Sequence, residues 1–208
     1  MVLGPCGRTG DCSHSSSHVA CSAGTSVVEV AVVLSIIISV LGIGLPVLAN
    51  GADAKRTRDA ASFLAGQFRL ARQRAAMTGR NVAIVFDDLA SDIGWRLCED
   101  GDRDGVSRSD INSGRDPCEA QPQPFSYRFS QVSMGYLPGV PSPDGEMNAP
   151  PVGFGLSQMA VFTPTGTATS GTAAVQGPGA NQLAVRVSGV TGRTRVMWFN
   201  PGTGEWSE

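Results

Sequence analysis

From Val30 to Ala49 the chain runs for twenty residues without a charge, and Glu29 stands at the mouth of that run. Nothing else in the sequence constrains its architecture as strongly. At about 1.5 Å of rise per helical residue the run spans about 30 Å, the thickness of one bilayer core. A carboxylate at the edge of hydrocarbon is costly, about 2.5–3.5 kcal/mol at a helix centre on insertion scales and less near the interface. A secretory signal peptide would find small residues at Val47-Leu48-Ala49. Its apolar region, however, is usually only about 7–15 residues long and follows positive charge, whereas the nearest charge here is negative. An ordinary membrane anchor fits the length and leaves Glu29 unexplained.

Absences narrow the function. The only histidines are His14 and His18, both ahead of the apolar run. If that leader is removed, Ser-His-Asp and Cys-His catalysis and His-ligated zinc go with it. Cys6, Cys12 and Cys21 lie in the same leader, which leaves Cys98 and Cys118. Two cysteines cannot build a four-thiolate metal site. In an oxidising compartment they can close a loop of roughly 20 residues, worth about 3 kcal/mol in the chain-entropy view, or they stay two unrelated thiols. The formal net charge of −2 argues against a general binder of nucleic acid or anionic membrane.

Past Gly51 the helical pattern turns amphipathic. Ala60, Leu64, Phe68, Ala71 and Ala75 recur at three- and four-residue spacing, with Arg56, Arg58, Arg69, Arg72 and Arg74 mostly on other faces. Gly79 is placed to cap the C-terminus. Strands are expected at Asn81–Asp87, Gly94–Cys98, Phe125–Phe129, Ala160–Thr163, Gln182–Ser188 and Arg193–Asn200, with Pro138–Pro151 a loop. Strands gathered behind one long helix predict an α+β fold. In it a long N-terminal helix, half transmembrane and half amphipathic, packs on an antiparallel β-sheet domain.

Gly24, followed by an apolar segment whose fifth residue is Glu29, resembles the processing signal of type IV pilins and type II secretion pseudopilins. The segment AGQFRLARQRAAMTGRNVAIVFD and the later FTPTGTATSGT and GRTR resemble the minor pseudopilins and pilins of the GspH/FimT group. The resemblance implies a leader over residues 1–24, a transmembrane assembly helix over 25–49, an amphipathic helix over 50–79 and a periplasmic β-rich domain over 80–208. It implies cleavage after Gly24 by a prepilin peptidase and methylation of the new N-terminus at Thr25. Glu29 would meet a neighbour's terminal amine, and Pro46 falls where such helices commonly kink. The implied setting is the bacterial inner membrane, with other pilins or pseudopilins and an inner-membrane assembly platform as partners. Thr25 departs from the usual phenylalanine, and the leader is long and poor in basic residues, as a start codon placed too far upstream would make it.

Three constellations remain. Asp100-Gly-Asp-Arg-Asp-Gly105 places carboxylates on alternate residues with glycine sixth, as a calcium loop requires. The twelfth position is Ile111, so Asp110 would have to join Asp100, Asp102 and Asp104 with altered geometry; the alternative is a solvated acidic turn. In Gly192-Arg193-Thr194-Arg195, residues two apart on a strand face one way, so Arg193 and Arg195 project together. The resemblance to DNA-capturing minor pilins of natural transformation makes DNA one expectation, and a solvated strand face is the other. Trp198, Phe199 and Trp206 are expected to seal the sheet's core or edge, with a ligand surface the alternative. No paired-carboxylate acid–base site or phosphate loop stands out, so neither catalysis nor a cofactor other than calcium is expected.

Overall fold

A computed structural model describes residues 26–90 and 92–208, and side chains for all of these except 42–50. The expected leader, with Gly24 and Thr25, lies outside the described residues. The chain divides into two units, residues 1–44 and 45–208.

Helix α1 (Val27–Thr78) is 52 residues long. Gly79 ends it at φ +65°, donating its N–H to the carbonyl of Ala75 at 3.0 Å, the left-handed cap that glycine adopts without steric cost. In the second unit its apolar stripe is Ala60, Ala61, Leu64, Ala65, Phe68, Ala71 and Ala75, all fully buried. Mostly small, these residues let the helix lie close to the sheets. Thr57 approaches Gly177 so closely that a Cβ there would collide with its hydroxyl.

Two antiparallel sheets cover that stripe. The first takes β1 (Val82–Leu89), β2 (Asp92–Glu99), β3 (Gln123–Pro124) and β6 (Met159–Phe162) in the order β3-β2-β1-β6. Between β2 and β3 lies α2 (Arg108–Ser113). The short helix α3 (Phe125–Arg128), β4 (Ser133–Met134) and β5 (Val152–Gly153) precede β6. The second sheet adds β7 (Gly171–Gln176), β8 (Gln182–Val187), β9 (Thr194–Asn200) and β10 (Glu205–Ser207). Its order is β10-β9-β8-β7-β4, with β5 also paired to β7. The molecule is therefore α+β with antiparallel sheets behind a helix, as expected.

Phe68 sits at the centre of the core, its ring 5.5–6.2 Å from those of Phe154, Phe162 and Phe86. Strand β1 is buried on both faces. Val82, Ile84 and Phe86 face the helix, while Ala83 and Val85 face a second cluster with Cys98, Val106, Ile111 and Met159. Alternation along a strand produces that division.

The segment Phe125–Phe129, expected as a strand, is instead one helical turn. Strand spacing would put Tyr127 on the same face as both phenylalanines, yet Phe125 is buried and Tyr127 is exposed. Helical spacing brings the rings of Phe125 and Phe129 to 5.4 Å, with Phe63 of α1 against Phe129. The ring pairing decides the conformation. Strand β7 was not foreseen: TAAVQ carries small side chains, and it is central and buried.

The Pro138–Pro151 loop has no regular element and is tied down from elsewhere. Gln182, fully buried, accepts from the N–H of Leu137 at 2.7 Å and donates to the carbonyls of Gly135, Val175 and Leu183. Trp206 donates its indole N–H to the carbonyl of Pro141 at 2.9 Å and stacks edge-on against Tyr136.

Candidate interaction surfaces

The described residues of the first unit form a helix with no inner face. Every side chain from Ser26 to Leu41 is exposed, including Val27 at 85% and Ile38 at 68%. Ser35 and Ser39 turn their hydroxyls back onto the carbonyls of Val32 and Ser35, each at 2.8 Å, so their polar groups are satisfied within the helix. Glu29 lies in the first turn, where the helix dipole favours an anion. Pro46 falls within α1, among the residues whose side chains are not described. Among the described residues no helix is long and apolar enough to cross a membrane. The apolar run expected to do so continues to Ala49, beyond the described side chains.

The second surface is the loop after β2. A disulfide joins Cys98 to Cys118 across a separation of 20 residues. Between them two buried carboxylates organise the backbone. Asp100 accepts from the N–H of Arg103 at 2.6 Å, the N–H of Gly105 at 3.1 Å and the side-chain amide of Asn81 at 3.2 Å. Asp116 accepts from the N–H groups of Gly101 and Ser107, each at 3.0 Å. Gly101 passes so close to the Arg115 carbonyl that a Cβ would collide with it. Arg108 of α2 fastens this assembly to β1 through Asp87 and the carbonyl of Phe86.

The carboxylate oxygens of Asp100, Asp102 and Asp104 lie within 4.8 Å of one another. Asp110 is not among them: it accepts from the Ser107 hydroxyl at 2.5 Å and pairs with Arg115. Asp104 is held above the ordinary aspartate range, first by its hydrogen bond with Asp102, then by desolvation and the neighbouring carboxylates. Asp100 spends its oxygens on the loop's own N–H groups, which by itself explains its burial. Asp116, Asn81 and Arg108 were not singled out from the sequence. Asp116 belongs to no spacing pattern, and only its burial marks it.

Arg193 and Arg195 are both exposed on β9 and its approach. Arg195 pairs with Glu208, and Arg186, its cross-strand partner, pairs with Asp144. Arg193 has no carboxylate partner among the described residues. At the aromatic end, Phe199 and Trp206 pack together at 5.5 Å, but Trp198 is 48% exposed. With Phe199, Val196 and Leu183 it lines a cavity of about 680 Å³ beside Ala54 and Arg58 of α1.

A further groove, about 280 Å³, runs between α1 and the turn after β6 and is lined by Arg69, Arg72, Gln73, Ala76, Pro164, Thr165 and Gly166. The Arg72 side chain lies over two glycines with positive φ. A Cβ on Gly192 would meet its Nε at 3.1 Å, and one on Gly166 would stand 3.8 Å from its Nη2. On its other flank α1 presents Arg74, which pairs with Glu99 and Glu119. Those partners raise its pKa further, the Glu119 hydrogen bond foremost.

A family model described as "Type II transport protein GspH" matches residues 60–192, well over half of the chain. No curated protein and no solved structure gives a match.

Proposed function

The chain belongs to the GspH family of type II transport proteins, and from that premise we propose that it is a minor pseudopilin, a structural subunit of a type II secretion or type IV pilus filament. The observation that carries the reading is the helix from Val27 to Leu41, exposed at every described side chain and apolar except at Glu29, Ser35 and Ser39. A helix of that kind is buried in something other than its own domain, either lipid or neighbouring helices. Ser35 and Ser39, bonded to their own helix backbone, suit a medium without water.

In this reading a prepilin peptidase cuts after Gly24 and leaves Thr25 as the methylated terminus. The helix waits in the inner membrane with the β-rich domain in the periplasm, then leaves the lipid to pack among other pseudopilins. Glu29 sets the register by meeting a neighbour's terminal amine, a pairing that offsets the cost of a carboxylate in apolar surroundings. The assembly platform supplies the motion, and the chain contributes shape and contacts without catalysis.

N-terminal sequencing and intact mass of the chain recovered from membranes test this. A start at Thr25 with one added methyl group is expected. A soluble chain that begins near Asn50 would mean a secreted domain and would end the reading.

A further inference from the structure

Two hollows open on one flank of α1. Ala54, Arg58 and Ser62 wall the larger, about 680 Å³, and Arg69, Arg72 and Ala76 wall the smaller, about 280 Å³. With Ala65, which is fully buried, counted between them, these positions follow one another in steps of three or four residues. At about 100° and 1.5 Å per residue they form a single stripe about 33 Å long.

That stripe lacks counter-charge. Among the described residues no carboxylate lies within ion-pair distance of Arg58, Arg69 or Arg72. Asp53, which also lines the larger hollow, is taken up by Arg56. Across the hollow the sheet presents an apolar wall, where Trp198, 48% exposed, stands with Leu183 and Val196. Tryptophan and arginine are the side chains that most often dominate binding at protein interfaces.

We propose that this stripe docks an amphipathic helix of a different subunit, one that carries carboxylates along its length and an apolar side chain for the Trp198 hollow. The inference rests on the filament reading and names the chemistry of one neighbour. Charge complementarity calls for the carboxylates. Arg58 and Arg72 lie about 21 Å apart along α1, a span that a helix packed alongside matches residue for residue. The small side chains of Ala54, Ser62 and Ala76 let its backbone come close. A second copy of this chain does not fit, because α1 offers only Glu29, Asp53 and Asp59, and Asp53 is already paired. Duplex DNA does not fit either: it would leave the apolar wall uncovered, and the net charge of −2 opposes it.

The test uses the full chain in membranes of cells that assemble the filament, with Ser62 replaced by a photoreactive benzophenone amino acid. Irradiation is expected to attach it to another subunit. The attached segment, sequenced by mass spectrometry, is expected to repeat carboxylates and apolar residues at helical spacing. Arg58→Glu with Arg69→Glu lowers the adduct by about tenfold, and so does Trp198→Ala. Changing the facing carboxylates of the partner to lysine restores the adduct with the charge-reversed chain, which would not happen had that chain merely misfolded. No adduct, an adduct to a second copy, to lipid or to nucleic acid, or a yield indifferent to the charge reversals overturns the docking. N-terminal sequencing of the same membranes separates the two ideas. A Thr25 start without the adduct ends the docking alone, and a start elsewhere overturns the filament reading and the docking with it.

Discussion

Replacing Asp116 by alanine removes both acceptors that hold the N–H groups of Gly101 and Ser107. Asp116 is 1% exposed, so water does not take its place without rearrangement. A buried donor left unpaired costs about 1–3 kcal/mol, and two together about 2–6 kcal/mol. Partial relaxation of the loop brings the expectation to about 2–4 kcal/mol. The loss reaches the whole unit because Val106 and Ile111, which flank the loop, pack with Ala83 and Val85 of β1. For a unit of this size each kcal/mol moves the midpoint by about 2–4 °C, so Asp116→Ala lowers Tm by about 4–16 °C. Asp116→Asn is nearly as harmful, since its amide nitrogen would face one of the two N–H donors. Asp102→Ala, which removes the same charge from an exposed site, stays within about 0.5 kcal/mol of the parent. Thermal unfolding of the detergent-solubilised chain, followed by near-ultraviolet circular dichroism, reads all three. An Asp116→Ala midpoint equal to that of Asp102→Ala would refute the reasoning.

Phe68→Ala empties the centre of the core and costs about 3–5 kcal/mol, measurable by urea unfolding; a cost near 1 kcal/mol would mean the three surrounding rings collapse into the space. Replacing Cys98 and Cys118 by serine removes a loop closure over a separation of 20 residues and lowers stability by about 3 kcal/mol in the chain-entropy model, with the parent under reducing agent showing the same shift. Asp104 binds its proton more readily when folded, so its charge disfavours the folded state above the raised pKa, and that penalty fades as pH falls into the ordinary aspartate range. Asp104→Asn therefore raises Tm at neutral pH and loses its advantage at about pH 3, where aspartates are mostly protonated; equal gains at both pH values would count against it.

Periodicity made α1 legible from the sequence. A stripe of alanine, leucine and phenylalanine at three- and four-residue spacing is a helix face, and Gly79 marks its end because few other residues accept positive φ. The strands with β-branched alternation, such as Leu183-Ala-Val-Arg-Val, were equally plain. Gly171–Gln176 was not, because a central strand covered on both faces has no reason to alternate. Phe125–Phe129 misled, because aromatics at i and i+4 fit a strand's composition as well as a helical turn's spacing. At the surfaces, the Asp100–Gly105 loop could be seen from its carboxylate spacing. Spacing could not reveal that Asp100 is consumed by backbone N–H groups, nor that Asp116, sixteen residues later, shares the task. The groove at Arg69 and Arg72 depends on glycines at 166 and 192, brought to the helix only by the folded sheets.

Gln182 of β8 holds Leu137 and Trp206 of β10 holds Pro141, both at the start of the Pro138–Pro151 loop. Beyond those anchors five consecutive residues, Asp144 to Asn148, are exposed, tied back by the Asp144–Arg186 pair and by hydrogen bonds between Ser142 and Gly145 and Glu146. The packing constraint therefore falls on the two anchors, and the exposed stretch carries little of it beyond the Asp144–Arg186 pair. An inserted tag after Met147 would leave the buried core and both anchors in place.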